Sequence, residues 1–124
     1  MSADAISGII ENNKARMTEL EEQKEVYNQA ITDSLDQKHS IWLQMCSFLS
    51  KCGTSNPMHL NVQQKTMYNE LLAGYFGANK SYNKAYFGYL SANSSLFNLV
   101  LDNGKLEASQ IAYNNFTKNY KSNG

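Results

Sequence analysis

Four residues of the types that bind metals or act as nucleophiles lie near the middle of the chain: His39, Cys46, Cys52 and His59. They are separated by seven, six and seven residues. Seven residues of helix separate two side chains by ~10 Å along the axis, whereas zinc needs its ligands within ~2.3 Å of one point. Only a chain reversal that brings Cys52 against His59 would assemble them. The spacing therefore favours core thiols and a solvated histidine at a turn over a zinc site.

Other chemical motifs are equally weak. Neither cysteine stands in a local signature of a catalytic Cys–His pair. Arg16 and Lys24 lie within helical reach of a carboxylate cluster, as is typical of a solvated helix face; the cluster consists of Glu19, Glu21, Glu22 and Glu25. The sequence has no glycine-rich phosphate-binding loop. It therefore predicts a protein that is not an enzyme, with no cofactor and no small-molecule substrate.

The net charge indicates which partners to expect, and the first residues indicate a location. Eleven basic and eleven acidic residues give a net charge of zero, so there is no basic excess to neutralise phosphates or an anionic membrane surface. Nucleic acid is not an expected partner. The start, Met1-Ser2-Ala3-Asp4, lacks the positive and apolar regions of a secretory signal. The expected location is cytoplasmic, with reduced cysteines, and export by a signal-independent route is the alternative.

Two breaks divide the chain into helices. The only proline, Pro57, follows Gly53 closely; glycine suits the left-handed end of one helix and proline the first position of the next, with Ser55 or Asn56 as its cap. The segment Asp102-Asn103-Gly104 signals a second break. These signals predict helices over 3–52, 57–102 and 105–120 with a turn at 53–57. The predicted fold is all-α, a single helical domain over 1–124: a long antiparallel helical hairpin plus a shorter third helix.

The first predicted helix carries a coiled-coil seam with polar interruptions. Residues in alternating steps of three and four form it: Ile6, Ile10, Asn13, Met17, Leu20, Lys24, Tyr27, Ile31, Ser34, Lys38, Ile41, Met45 and Phe48. A helix of ~45 residues is roughly 65–70 Å long, beyond the diameter of a compact domain of this size. The sequence predicts either an elongated molecule or a break, favoured at 32–34, where three cap-forming residues meet. The apolar density from Ile41 to Leu49 predicts burial on more than one side.

The second predicted helix carries two parallel stripes. Small residues occupy one line in steps of four and three: Gly74, Ala78, Ser81, Ala85, Gly88, Ala92 and Ser95. Larger residues run beside it: Tyr75, Tyr82, Tyr86, Tyr89 and Leu96, with Phe76, Leu90 and Phe97 one position further round. Glycine in a helix interior costs ~1 kcal/mol relative to alanine. A neighbouring helix that packs close over the small line would compensate.

Two interpretations of these stripes follow. In the intramolecular one, the first helix fills the small groove and the tyrosines pack on the third helix through Leu106, Ile111 and Tyr113. In the functional one, part of the groove or the tyrosine ridge contacts another chain, because tyrosines are enriched at interface hot spots. The candidate interface residues are Gly74, Ala78, Ser81, Ala85, Gly88, Ala92, Tyr75, Tyr82, Tyr86 and Tyr89, together with Trp42 near the main turn.

The leading hypothesis is a non-enzymatic assembly or adaptor protein that acts by helix–helix contact, as a homo-oligomer or bound to one protein partner. Long helices joined by a proline-containing turn also occur in small subunits and chaperones of bacterial secretion machines and in phage proteins. This is an analogy of architecture, which does not specify function. The alternative is a membrane-active or translocated protein whose second helix associates with a bilayer.

Overall fold

The computed structural model of the chain contains two long helices that pack against each other. It describes residues 3–123, with side chains over 4–120. Helix α1 comprises Ala3–Lys51, a short 3-10 helix comprises Pro57–His59, and helix α2 comprises Val62–Asn123. No strand occurs among the described residues. The all-α prediction is confirmed, and the prediction of a separate third helix is wrong.

The contacts divide the chain into two compact units. The terminal unit comprises Met1–Glu25 and Tyr89–Gly124, and the turn unit comprises Val26–Gly88. Each unit contains a segment of α1 antiparallel to a segment of α2, as cross-helix hydrogen bonds show. Gln110 bonds to Ser7 in the terminal unit, and Lys38 bonds to Asn79 in the turn unit. The single domain over 1–124 stays a prediction.

Helix α1 ends at Lys51, two residues before the glycine that its sequence predicts as the terminator. Gly53 has a φ of 76°, in the left-handed region that only glycine adopts without strain. The backbone N–H of Thr54 donates to the carbonyl of Leu49 at 3.1 Å, and that of Gly53 donates to Ser50 at 3.0 Å. This pair of bonds is a Schellman motif, which satisfies carbonyls that the end of a helix leaves without partners.

Helix α2 begins later than the predicted residue 57. Pro57 opens the 3-10 helix, and the side chain of Asn56 accepts a bond from the Met58 N–H at 3.0 Å. The cap of α2 is Asn61, whose side chain accepts a bond from the Gln64 N–H at 2.8 Å. The Gln64 side chain accepts from the Asn61 N–H in return, at 3.0 Å. Such a reciprocal capping box fixes the start of a helix at Val62.

The predicted break at 32–34 does not occur, since α1 is continuous through it. The hydroxyl of Thr32 donates to the carbonyl of Asn28 at 3.1 Å, and the carboxylate of Asp33 accepts from the Gln29 side chain at 2.8 Å. Both bonds reach one turn back along the same helix. Side chains that would otherwise compete with the helical backbone are thereby satisfied within the helix.

The predicted break at 102–104 is also wrong, because α2 runs through it. Asn103 is only 4% exposed, and its side-chain nitrogen donates to the carbonyl of Ile10 at 3.2 Å. Its side-chain oxygen accepts from the side chain of Asn13 at 2.8 Å. These contacts with α1 hold Asn103 in helical geometry, so the helix continues although residues 102–104 favour a turn.

The seam predicted for α1 is the face that α1 buries. Every one of the thirteen seam positions from Ile6 to Phe48 is buried or half-buried. The matching face of α2, named here the inner seam, follows the same steps of three and four. Its members are Tyr68, Leu71, Tyr75, Ala78, Tyr82, Ala85, Tyr89, Ala92, Leu96, Leu99, Asn103, Leu106 and Gln110. In its middle, alanines alternate with tyrosines.

Candidate protein interface

The alanines of the predicted small stripe lie in the core of the chain. Ala78, Ala85 and Ala92 are buried by other residues of the same chain. Gly74, Ser81 and Ser95 are exposed, so the stripe is only partly covered. The line of closest packing runs through alanines and tyrosines in turn rather than through small residues alone. This arrangement corresponds to the intramolecular interpretation of the groove.

At Gly88 the packing of the two helices leaves no room for a side chain. A methyl group placed on its Cα would lie 2.5 Å from Cζ of Tyr27 on α1, a distance that real contacts do not reach. At Gly74 the nearest atom is Cδ1 of Ile41, at an ordinary 3.5 Å. The ring of Tyr27 therefore packs directly over the backbone of α2 at Gly88. The loss in helix propensity at this glycine is compensated by close contact.

Three of the four tyrosines of the inner seam face lysines of α1, not a third helix. The ammonium group of Lys38 lies 5.4 Å from the ring centroids of both Tyr75 and Tyr82. The same group donates to the side chain of Asn79 at 2.9 Å. In the terminal unit, the ammonium group of Lys24 lies 5.6 Å from the ring centroid of Tyr89. The predicted packing of these tyrosines on Leu106, Ile111 and Tyr113 of a third helix is wrong, because those residues belong to α2 itself.

Two large side chains among the predicted interface residues also stay accessible. Tyr86 is 42% exposed and stacks on Tyr82 with ring centroids 6.1 Å apart. Trp42 is 52% exposed and lines an open cleft with Cys46 and Gly53. The predicted burial of this end of α1 on more than one side is wrong for Trp42 and Leu43, which are both more than half exposed.

A second apolar line of α2 lies outside the inner seam. In the terminal unit it consists of Leu90, Phe97, Leu101 and Ile111, with Ser94, Gly104 and Ala108 at the intervening positions; it is named here the outer stripe. Its large members are 42%, 61%, 47% and 62% exposed, in that order. Consecutive positions again differ by three or four residues, the spacing of a helix-packing seam. Helix α2 thus carries one seam that α1 covers and one that is open.

No residue from Leu90 to Leu101 is charged, and the first charged side chains after it are Asp102, Lys105 and Glu107. The outer surface of α1 in the same unit is highly charged. Lys14 pairs with Glu11 at 3.6 Å and Arg16 pairs with Glu19 at 2.8 Å, all four side chains being at least half exposed. Such a face is typical of permanent contact with water. The outer stripe is thus an uncharged, exposed apolar surface in a unit whose other helix has a charged outer face.

Comparison with protein-family models, with curated proteins and with solved structures finds no match. The outer stripe is therefore interpreted from its own residues. Sequence reasoning noted Leu90 and Phe97 beside the tyrosines and assigned Ile111 to a third helix, but it left out Leu101. The signal that identifies all four is the second series of three- and four-residue steps.

The histidines and cysteines that suggested chemistry belong to the turn unit, whereas the outer stripe belongs to the terminal unit. Cys46 is an exposed thiol and Cys52 a half-buried one, and neither forms a disulfide. The imidazole Nδ1 of His59 lies 3.3 Å from the hydroxyl of Thr54 within the turn. Over the part of the chain that the structure describes, no three His, Cys, Asp or Glu side chains group as a metal site requires. In the same part, no helix has a stretch long and apolar enough to cross a membrane.

Proposed function

We propose that this chain is a non-enzymatic assembly protein that binds another protein through the outer stripe of α2. The observation that carries the proposal is the open second seam, whose large apolar residues stay exposed after α1 has covered the inner seam. Apolar side chains that follow helical spacing on an open face are the usual anchors of helix–helix recognition. An adaptor, a chaperone and a structural subunit all act through contacts of this kind.

The area of the outer stripe supports the proposal. Its large side chains together expose on the order of 500 Å², in the range of the largest and often functional patch on a monomeric protein. Phe97 is the central anchor, with Leu101 one turn further along the same line. Aromatic side chains in the middle of an interface contribute a large share of binding free energy.

Photo-crosslinking tests this function. A benzophenone amino acid replaces Phe97 in the full chain, and the matched control places it at Glu22, an exposed position on the charged surface of α1. After irradiation in an extract of the source cells, we expect adducts of defined higher mass from position 97 and none from position 22. If position 97 gives no protein adduct, or both positions give the same adducts, the proposed function is wrong.

The second candidate is binding to a membrane surface. The run from Ala85 to Leu101 is uncharged, and the exposed side chains of Leu90, Phe97 and Leu101 could enter the interfacial region of a bilayer. Flotation with vesicles of neutral and of anionic lipid separates this candidate from the first. Binding to lipid that Phe97→Ser abolishes favours membrane association, whereas a protein that stays with the dense fractions excludes it.

A further inference from the structure

The buried Asn103 is followed directly by Gly104, and this pair of residues has a chemistry of its own. In a flexible chain the backbone nitrogen of the glycine attacks the side-chain amide carbon of the asparagine, because no β-carbon on the glycine hinders the approach. The new bond closes a succinimide ring, and the bond from the same carbon to the side-chain nitrogen breaks and releases ammonia. Water then opens the ring to aspartate or to isoaspartate.

The packed helices oppose this reaction in the folded protein. Asn103 and Gly104 both lie inside α2, where a backbone N–H donates to the carbonyl four residues earlier. Ring closure would require the backbone of Asn103 to leave helical geometry. The side chain is held as well, because its nitrogen donates to the carbonyl of Ile10 at 3.2 Å and its oxygen accepts from Asn13 at 2.8 Å. Helix α1 thus fixes the amide, and Asn103 is only 4% exposed to water.

The structure gives no packing reason for a glycine at position 104. A β-carbon on Gly104 would have no atom within 4 Å, and its φ is not positive, unlike that of Gly53. Alanine would be the better helix former there. The chain therefore has a chemically labile pair at a position where the helix itself gains nothing from glycine.

We propose that Asn103 is a site of hydrolytic deamidation that is closed while α1 and α2 are packed in the terminal unit and opens when they separate there. Native proteins open locally in this way without unfolding as a whole. An aspartate product cannot restore the contact, because a carboxylate has no N–H to donate to the carbonyl of Ile10 and its burial as a charge is unfavourable. Isoaspartate adds a carbon atom to the main chain and interrupts the helix. Deamidation thus leaves a covalent record of opening, and this inference is independent of the proposed function.

Incubation of the purified full chain at mildly alkaline pH, in buffer and in urea, tests the site. Trypsin releases residues 85–105 as one peptide, which contains Asn103 and also the exposed Asn93, followed by Ser94. Mass spectrometry of this peptide gives the rate at each asparagine. In urea we expect Asn103 to react roughly tenfold or more faster than Asn93, because serine carries a β-carbon. In buffer Asn103 should react ~100-fold or more slowly than in urea, because only the opened fraction reacts.

Three variants test what protects the site and what makes it labile. Asn13→Leu removes one partner of Asn103 and should accelerate the reaction in buffer ~5-fold or more, with the rate in urea unchanged. Glu22→Gln, an exposed change on the same helix, should alter neither rate. Gly104→Ala should slow the reaction in urea to about the rate at Asn93. Equal rates at Asn103 in buffer and in urea, or no effect of Asn13→Leu in buffer, would overturn the proposal.

The effect of the product is measured separately. Asn103→Asp introduces the carboxylate without the reaction and should lower the urea concentration at the midpoint of unfolding. Asn93→Asp, at an exposed position, should change that midpoint little. Circular dichroism follows both transitions. If Asn103→Asp unfolds at the same urea concentration as the unaltered chain, deamidation leaves no mark on the packing of the terminal unit and the proposal is wrong.

Discussion

The side-chain nitrogen of Asn13 donates a 2.8 Å hydrogen bond to the side-chain oxygen of Asn103, ninety residues further along the chain. Asn103 in turn donates to the backbone carbonyl of Ile10 at 3.2 Å. These bonds lie among apolar seam residues, where an amide without a partner costs free energy. A buried polar pair of this kind specifies which residues of two helices face each other.

Replacing one asparagine of this pair should destabilise the protein more than replacing both. Asn103→Leu leaves the amide of Asn13 without its partner and should lower the free energy of unfolding by ~1–3 kcal/mol. Adding Asn13→Leu to the same chain should recover most of that loss, because two apolar side chains of similar size replace both polar groups. Urea unfolding of the two single variants and the double variant measures the coupling. Additive losses would show that the two amides do not interact.

Replacing Gly88 or Gly77 with alanine should change the free energy of unfolding in opposite directions. At Gly77 no atom lies within 4 Å of an added methyl group, so Gly77→Ala should raise the free energy of unfolding by up to ~1 kcal/mol through helix propensity. At Gly88 the ring of Tyr27 must move, and the change should lower stability by ~1–3 kcal/mol. Thermal unfolding of both variants provides the comparison. An equal gain in both would mean that Tyr27 does not pack on Gly88.

The charge of Lys38 should contribute to stability through the two tyrosine rings that flank it. Lys38→Gln retains a donor for Asn79 but removes both cation–π contacts, and should lower the free energy of unfolding by ~1–2 kcal/mol. The exposed residue Lys80 provides the control, and Lys80→Gln should change stability by less than ~0.5 kcal/mol. Chemical denaturation of the two variants measures the difference, and similar values for both would refute the contribution of the rings.

The left-handed geometry of Gly53 should make the main turn sensitive to a side chain. Gly53→Ala forces alanine to a φ of 76°, which costs ~1–2 kcal/mol. Gly8, which also has no atom within 4 Å of an added methyl group but lies inside α1, should gain up to ~1 kcal/mol from the same substitution. Calorimetric melting of the pair tests this. A melting temperature for Gly53→Ala at or above that of the unaltered chain would contradict the expectation.

The sequence predicts well where the pattern is strong. The buried face of α1 follows from the steps of three and four between residues such as Ile10, Leu20 and Met45, because apolar residues at that spacing share one side of a helix. The turn at Gly53 and Pro57 follows from the backbone preferences of these two residue types. Both features depend on interactions that are local in sequence.

Prediction from the sequence fails where contacts between distant residues determine the local structure. Asn103 and Gly104 resemble a break until Asn13 supplies a hydrogen bond from the other helix, and no local signal encodes that partner. The outer stripe is missed for a related reason. Helix α2 has apolar residues over most of its circumference, so its sequence alone does not tell which of Tyr89, Phe97 and Leu101 face α1 and which face solvent.

The ring of Tyr27 over Gly88 limits how the two helices of the turn unit can move. If α2 slid along its axis by seven residues, a serine, Ser81 or Ser95, would replace Gly88 beneath the ring, and its β-carbon would occupy space that the ring now fills. Sliding of one helix past another is one way in which proteins switch state, and a slide of this length is disfavoured here. We therefore expect the two helices of this unit to keep their alignment if they separate or bend.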